Sequence, residues 1–575
     1  MVPPFRWFMV IFKKENELEL KINKYKKITT FSSILRISLA ILFVVFMILL
    51  ISVGDYILYG ILAGVSFILF LLSMILTNNF YNILDNLKRV SDVYESHKRR
   101  RECKYNNFTD TGYDLIDKED YKLLDLDLFG KNSIYQYLNI ARTKYGRINL
   151  AERLKNKTDD KHFEAVDELS KIEDIVYLEA AVKGFDNRSK SLDYEALYQT
   201  LGKKIAINLL MFLPLLSFIG MLIYIPLIFT LGLNPYIPIV FLITNIFLCK
   251  LFIRNDVFNL DSTSYYNLCD NYKFSIDEIN KISFNDPYLN SLKDTLNKNY
   301  QSLVSAKSIF NLLATRRNLL FNLVFNMVFV FDFWTLFIYN HKTKACDGLK
   351  DLFEAFGEVE ALMSLSNIGF DNEVSCIPSN SDVIEGEEIY HPLVLNCIPN
   401  SFKLDGGVIL TGSNMSGKTT FMRTLGLAQT LFNAGGIIPA KSFSSSNLDI
   451  YTSLRANDML SEGISTFYAE ILRMKKINNA IKENKCLILV DEIFKGTNTN
   501  DRINASSQVV DKLNSFKQLF IISTHDFELC ELSNIKNFHF NEEYIDDKIS
   551  FDYKIKPGKS ETKNAIYLLK MADII

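Results

Sequence analysis

The stretch Thr411–Arg423 reads TGSNMSGKTTFMR, and its reading decides the fold of the C-terminal third. Gly412 and Gly417 bracket four residues, and Lys418 and Thr419 follow at once, which is the spacing of a phosphate-binding loop. The surroundings agree. The apolar run GVIL at 407–410 predicts a strand leading in, and TTFMRTLGLAQTLF at 419–432 predicts a helix leading out. Glycines at those places let backbone N–H groups turn toward phosphate oxygens, and the helix N-terminus adds its partial positive charge. A chance match to the spacing would not bring the strand and the helix with it. On this reading Gly412, Asn414, Met415, Ser416, Gly417, Lys418, Thr419 and Thr420 bind a nucleotide. Lys418 reaches the β- and γ-phosphates, and the Thr419 hydroxyl binds Mg²⁺. The expected ligands are ATP and Mg²⁺.

Further along, CLILVDE at 486–492 is a second buried strand that ends in two carboxylates. Asp491 is expected to join Thr419 in holding Mg²⁺. Glu492 is placed to polarise the attacking water. Adjacent acidic residues at a strand end are more often a solvated turn, but a phosphate-binding loop in the same domain favours catalysis. QLFIISTHD at 518–526 ends in the same manner, and His525 is expected to sense the γ-phosphate. Short apolar strands alternating with helices predict a mostly parallel, covered sheet.

The other end of the chain has a different character. Hydrophobic residues make up 48% of the 575, against 23% charged, so apolar residues are gathered into blocks. Ile37–Val53 and Tyr56–Leu76 are each close to the roughly 20 residues that a membrane-spanning helix needs. Two residues separate them, which predicts a tight transmembrane hairpin. Lysines precede it and HKRRRECK at 97–104 follows, so both flanks belong in the cytoplasm. That basic run reads as a flank for anionic lipid, with DNA as the alternative. The run is too long and too far from Met1 for a cleaved signal peptide. A second apolar block, 206–253, carries Pro214, Pro226 and Pro238 and predicts another hairpin.

A third block, Leu319–Tyr339, reads differently: Asn318, Asn322 and Asn326 fall on one helix face and Asp332 interrupts the rest. A single extra span there would strand the nucleotide domain outside the cell, so a buried helix of the soluble part is expected. Net charge is −2, and the eight cysteines include no C-x-x-C pair, which argues against a disulfide framework or a zinc site. No internal repeat is visible.

Taken in order, the C-terminal motifs resemble the ATPase domain of the MutS family. TGSNMSGKTTFMRT is similar to that family's TGPNMGGKST loop, VDEIFKGTNTND at 490–501 to its DEIGRGTSTYD, and STHDFEL to its ATHYFEL. GISTFYAEILRM at 463–474 resembles GRSTFMVEM, the family's counterpart of the ABC signature. YHPLVLNCIPNSFKL at 390–404 resembles the segment carrying HPV and FIPN, and IIPAKSF at 437–443 its YVPA strand. More weakly, 126–154 and 356–370 resemble the start and end of the family's helical core. The resemblance implies an α/β P-loop ATPase domain of ABC/MutS type at 380–575, joined to an all-α core and transmembrane helical hairpins. It further implies a homodimer with composite ATP sites, in which Ser465 and Thr466 of one chain cap the ATP of the other.

The implied layout is a cytoplasmic segment at 1–36, a hairpin at 37–76, core-like helices at 77–204, a second hairpin at 205–254, and further core-like helices at 255–370. There is no room for the family's mismatch-reading and connector domains, and the second hairpin stands where its DNA clamp would be inserted. Cys397 stands where the family has an aromatic residue stacked on adenine, so either a weak affinity for the base or the use of Ile398 instead is expected. The expected function is that of a multi-pass ATPase of the cell membrane, its ATPase domain in the cytoplasm, which couples ATP hydrolysis to DNA binding. The alternative is an ATP-gated scaffold for protein or lipid. A transporter with a small-molecule substrate is not expected, because no intramembrane charge lines a pathway and the signature reads STF.

Overall fold

The computed structural model describes residues 4–53, 55–117, 120–185, 192–202, 205, 209–252, 261–413, 415–455, 466–494, 498–532, 535–545 and 548–560. Contacts divide the chain into two units. The first comprises Met1–Arg99 with Glu173–Gly184, and the second comprises Arg100–Ile172 with Phe185–Ile575.

In the first unit the apolar runs form the long helices Pro4–Val53 and Tyr56–Arg101, the second extending into the other unit at its last two residues. Asp55 starts the second helix by accepting the Leu58 N–H at 3.2 Å. Leucine, isoleucine and valine side chains along both helices point outward, among them Ile41, Ile48, Ile57, Ile61 and Ile68. Such a surface is far larger than the apolar patches of ordinary monomers. The helix Ile175–Val182 belongs to the same unit, and its buried Glu179 lies 3.0 Å from Nε2 of the buried His97.

The second unit holds a helical part built around Leu349–Asp371, a helix buried along almost its whole length. It crosses the helix Lys144–Lys155 closely. A Cβ on Gly146 would fall 2.1 Å from Glu360 Oε2, and one on Gly357 would fall 2.5 Å from Tyr145 Cβ. Glu360 is fully buried and holds the turn before the 144–155 helix, whose N-cap is Thr143. It accepts the Arg142 N–H at 2.9 Å, the Thr143 N–H at 3.3 Å and the Thr143 hydroxyl. Burial dominates those bonds and raises its pKa to about 7. The folded state therefore binds a proton more tightly than the unfolded chain, and stability falls as pH rises from about 4.5 to about 7. Glu360→Gln should remove that slope. Melting temperatures of the two proteins across this range should converge at low pH and separate at high pH, the variant being the more stable.

The second apolar block forms the helices Leu213–Leu231 and Ile237–Phe252. The third block is not one helix. It folds into Leu319–Phe329 and Phe331–Lys342, bent by 89° about Val330, which has φ +47°. The polar residues explain the bend. Asp332 is 2% exposed and receives a fork from Arg316, at 2.8 and 3.0 Å, and the Asn322 amide at 3.1 Å. Asn326 accepts the Asp332 N–H at 2.7 Å and donates to Asn322 at 3.0 Å. Asn322 and Asn326 thus fold onto the aspartate, while Asn318 stays exposed and caps the first helix by accepting the Phe321 N–H at 3.2 Å. Asn245 of the second block donates to Met327 O at 3.0 Å, while Leu323, Val324, Phe329, Trp334 and Phe337 stay exposed. By length and composition, three of the described helices could cross a membrane, or four if the bent pair counts as one span.

The basic run at 97–104 is largely occupied by internal contacts. Arg100 is buried and donates to Tyr137 O at 2.8 Å, and Arg101 donates to Phe370 O at 3.1 Å. Arg99 pairs with Glu95, Lys104 pairs with Glu102 at 2.8 Å, and Lys98 is exposed. The run is therefore not the open basic patch that its composition suggests.

Among the described residues the C-terminal part carries ten strands: β1 Ser379–Asn380, β2 Ile384–Ile389, β3 Asn400–Leu404, β4 Gly407–Thr411, β5 Ser442–Ser445, β6 Asp449–Ser453, β7 Cys486–Asp491, β8 Leu519–Ser523, β9 Lys536–Ile545 and β10 Lys548–Pro557. The main sheet has the order β10-β9-β4-β8-β7-β6. Its pairs are parallel from β9 through β6, and only β10 runs antiparallel at the edge. β4 and β8 are buried at every position, as continuous apolar strands covered on both faces should be. A smaller sheet, β1-β5-β2-β3, lies beside it. The eight cysteines are all free thiols.

Candidate nucleotide site

Register brings the chemistry together. Leu410 pairs with Ser523, and Ser523 pairs with Asp491, so the carboxyl ends of β4, β8 and β7 open side by side. Open parallel sheets bind their ligands along this edge. From β4 the chain turns through Gly412 (φ +142°), Met415 (φ +70°) and Gly417 (φ +106°) into the helix Lys418–Asn433. A Cβ on Gly412 would lie 2.8 Å from Phe540 O, so glycine is required by both space and conformation. Lys418 Nζ donates to Gly412 O at 2.7 Å and Ser413 O at 2.9 Å, which lays the ammonium across the loop. The hydroxyl oxygens of Ser413 and Ser416 are buried without a hydrogen-bond partner. Two such donors beside an ammonium and a helix N-terminus fit phosphate oxygens.

Thr419 Oγ1 donates to Asp491 Oδ2 at 2.8 Å, and Ser523 Oγ donates to Asp491 Oδ1. The two residues expected to hold Mg²⁺ are therefore in contact. Among the described residues no cluster of three His, Cys, Asp or Glu could hold a metal. A cation here would complete its shell from phosphate and water oxygens.

Glu492 turns out of β7 with φ +59°, and its N–H donates to Ser523 O at 3.0 Å. Its Oε1 lies 3.1 Å from His525 Nε2. The two residues expected to be catalytic are thus direct neighbours. The loop that carries His525 is held at both ends, by Thr524 N–H on Leu410 O at 3.1 Å and by the Arg502 fork on Asp526 at 2.8 and 2.6 Å. Thr420 lies on the exposed wall of the same cavity. Asn414 and Ser465 lie outside the described residues. Thr466 opens the helix Thr466–Ala480, but its side chain lies outside them as well.

The cavity has a volume of about 770 Å³, bounded by the loop, the 394–398 segment, Phe540 and Tyr553. That segment starts from His391, which is buried and held neutral. Burial lowers its pKa to about 4, and its Nδ1 accepts the Leu393 N–H at 3.3 Å. Cys397 Sγ accepts the His391 N–H at 3.4 Å, so the thiol serves the loop's own turn. Ile398 does line the cavity, but the aromatic surface there is Tyr553. The register slips between Phe551 and Ile555, and Tyr553 sits in that bulge with φ +52°. Asn400 clamps the bulge, donating to Tyr553 O at 3.0 Å and accepting the Ile555 N–H at 2.8 Å. Sequence reasoning missed this residue. Its only signal was an aromatic in FDYKIKPG, with nothing to mark the bulge.

Parallel strands, a glycine-framed loop, and a Thr–Asp pair beside a Glu–His pair define an α/β domain with a candidate nucleotide site. Residues 408–574 match the family model "MutS domain V". Related proteins include DNA mismatch repair protein MutS of Leptospira interrogans, 37% identical over 187 residues, covering 31% of this chain and 22% of the relative. That of Persephonella marina is 32% identical over 238 residues, covering 38% and 27%. MutS protein homolog 4 of Mus musculus is 32% identical over 217 residues, covering 34% and 22%. The similarity to the MutS family lies in the C-terminal domain. The chain matches only about a quarter of the length of these relatives.

Proposed function

We propose that this cavity binds ATP with Mg²⁺ and that the chain hydrolyses it as a membrane-anchored homodimer with composite sites. The observation that carries the reading is the joint placement of Lys418, the Thr419–Asp491 pair and the Glu492–His525 pair around one cavity. Lys418 would exchange its two loop carbonyls for phosphate oxygens. Thr419 and Asp491 would hold Mg²⁺, which neutralises charge on the phosphates. Glu492 would take a proton from the attacking water, and His525 would fix the carboxylate and report on the γ-phosphate. Ser465 and Thr466 would act in trans, which is the reason for a dimer. The exposed apolar helices support a multi-pass anchor in the cell membrane with the ATPase domain on the cytoplasmic side.

Tyr553 is the adenine platform in this reading. Base stacking on an aromatic ring is worth about 1–3 kcal/mol. Tyr553→Ala should therefore raise the Kd for ATP roughly 5- to 100-fold and leave the Kd for inorganic triphosphate unchanged. Equal loss for both ligands would remove the platform role.

For the target, the names of the relatives point to DNA, and coupling of hydrolysis to DNA binding is the first reading. The inward-turned Arg100 and Arg101 favour a second, a scaffold for protein or lipid. ATP turnover and duplex binding in nanodiscs, measured across a salt series, separate the two. Phosphate contacts predict a steep fall of affinity with salt. Weak, salt-insensitive binding without an effect on turnover would exclude DNA.

A further inference from the structure

The segment YKLLDLDLFG at 121–130 lies far upstream of the nucleotide loop, in the lead-in to the helical core. It nevertheless touches three elements of the nucleotide domain. Asp127, with φ +51°, is bound on two sides. Its Oδ2 lies 3.2 Å from Arg423 Nη1, and its Oδ1 lies 2.5 Å from Arg455 Nη2. Arg423 stands on the helix that begins with Lys418. Arg455 follows β6 and leads toward the segment that ends at Ser465. Asp125 makes a second attachment: its Oδ2 accepts the Leu454 N–H at 3.0 Å and lies 3.8 Å from Arg473 Nη1. Arg473, on the helix Thr466–Ala480, lies 4.3 Å above the Tyr121 ring and donates to Arg455 O at 3.0 Å. Leu126 packs against Gly426, where a Cβ would lie 2.7 Å from its Cδ2.

The two aspartates differ in a useful way. Asp125 is 1% exposed, but the Asp127 side chain is 32% exposed. Breaking a buried attachment leaves a charge stranded in a poor solvent, whereas a half-exposed carboxylate can trade partners with water. Asp125 is therefore the fixed anchor, and Asp127 is the contact that can be remade.

We infer that Asp127 is a positioning residue that couples nucleotide binding to the trans-capping surface. It bridges the helix that holds this chain's ATP to the lead-in of the helix that would cap the partner's. Movement of one helix against the other passes through Asp127 into residues 121–130, and from there into the helical core. The inference rests on the ATPase reading above.

The test compares wild type, Asp127→Asn, Asp127→Glu, Arg455→Gln and the double variant Asp127→Asn/Arg455→Gln. Full-length protein in nanodiscs is used, reading Kd for a fluorescent ATP analogue, KM, kcat and melting temperature. Asp127→Asn should keep its Kd and KM and lose roughly 10-fold in kcat, within the range of ordinary coupling energies. Asp127→Glu should retain most of kcat. The double variant should be no worse than the worse single one, because both remove the same bridge. Wild-type kcat in Asp127→Asn, a loss confined to Kd, or additive losses in the double variant would each overturn the bridge. If Asp127→Asn is lost to misfolding, Arg455→Gln decides alone by the same split between KM and kcat. A wild type that binds ATP while Asp127→Asn matches it in every reading defeats only the bridge. A wild type that neither binds nor hydrolyses ATP defeats the ATPase reading as well.

Discussion

Lys418→Ala should abolish measurable ATP binding. The ammonium sits across the loop on Gly412 O and Ser413 O, and the residue is buried. It is the one lysine or arginine among the described residues that line the cavity. A hydrogen bond to a charged group contributes about 1.5–3 kcal/mol net. Loss of two such bonds to phosphate oxygens should raise Kd on the order of 100-fold or more. The fold should survive, because the loop's shape comes from Gly412, Gly417 and the β4 register. Isothermal calorimetry on the detergent-solubilised protein, with melting temperature as the control, checks both statements.

Glu492→Gln should give the opposite phenotype, with ATP bound at wild-type affinity and hydrolysis nearly stopped. The amide keeps the shape of the carboxylate and can still meet His525, 3.1 Å away. It cannot accept a proton from water. General-base catalysis is worth about 10²- to 10⁴-fold, so kcat should fall by at least about 100-fold. Because opening would follow hydrolysis, the variant should collect as a closed dimer with ATP retained, visible as a dimer-sized, nucleotide-loaded species. Hydrolysis at the normal rate would take water activation away from Glu492.

These two variants rest on residues that could be read from the sequence, and the reason is locality. The loop, the Asp491–Glu492 strand end and the His525 strand end each lie in a run of about ten residues, where period and spacing carry the meaning. The parallel sheet was legible for the same reason, since β4, β7 and β8 are short apolar runs with polar ends. What escaped is non-local. Tyr553 reaches the cavity through a bulge clamped by Asn400, and a bulge leaves no mark in an alternating pattern. Asp127 reaches Arg423 and Arg455 only after the sheet has assembled. The third apolar block was expected as one buried helix, on its asparagine stripe, its central aspartate and the topology that a lone extra span would impose. The break falls at Val330, imposed by the Arg316–Asp332 fork and the two asparagines that serve it. The basic run is less open than its composition suggests for a related reason. Composition counts charges, and Arg100 and Arg101 were already committed to Tyr137 O and Phe370 O.

The central claim is a site that one chain cannot complete. ATP turnover per chain, followed by serial dilution of the nanodisc-embedded or detergent-solubilised protein while its mass distribution is recorded, tests it most directly. The account predicts that turnover per chain falls in step with the dimer fraction and vanishes in the monomer. A monomer that hydrolyses ATP at the undiluted rate would contradict it.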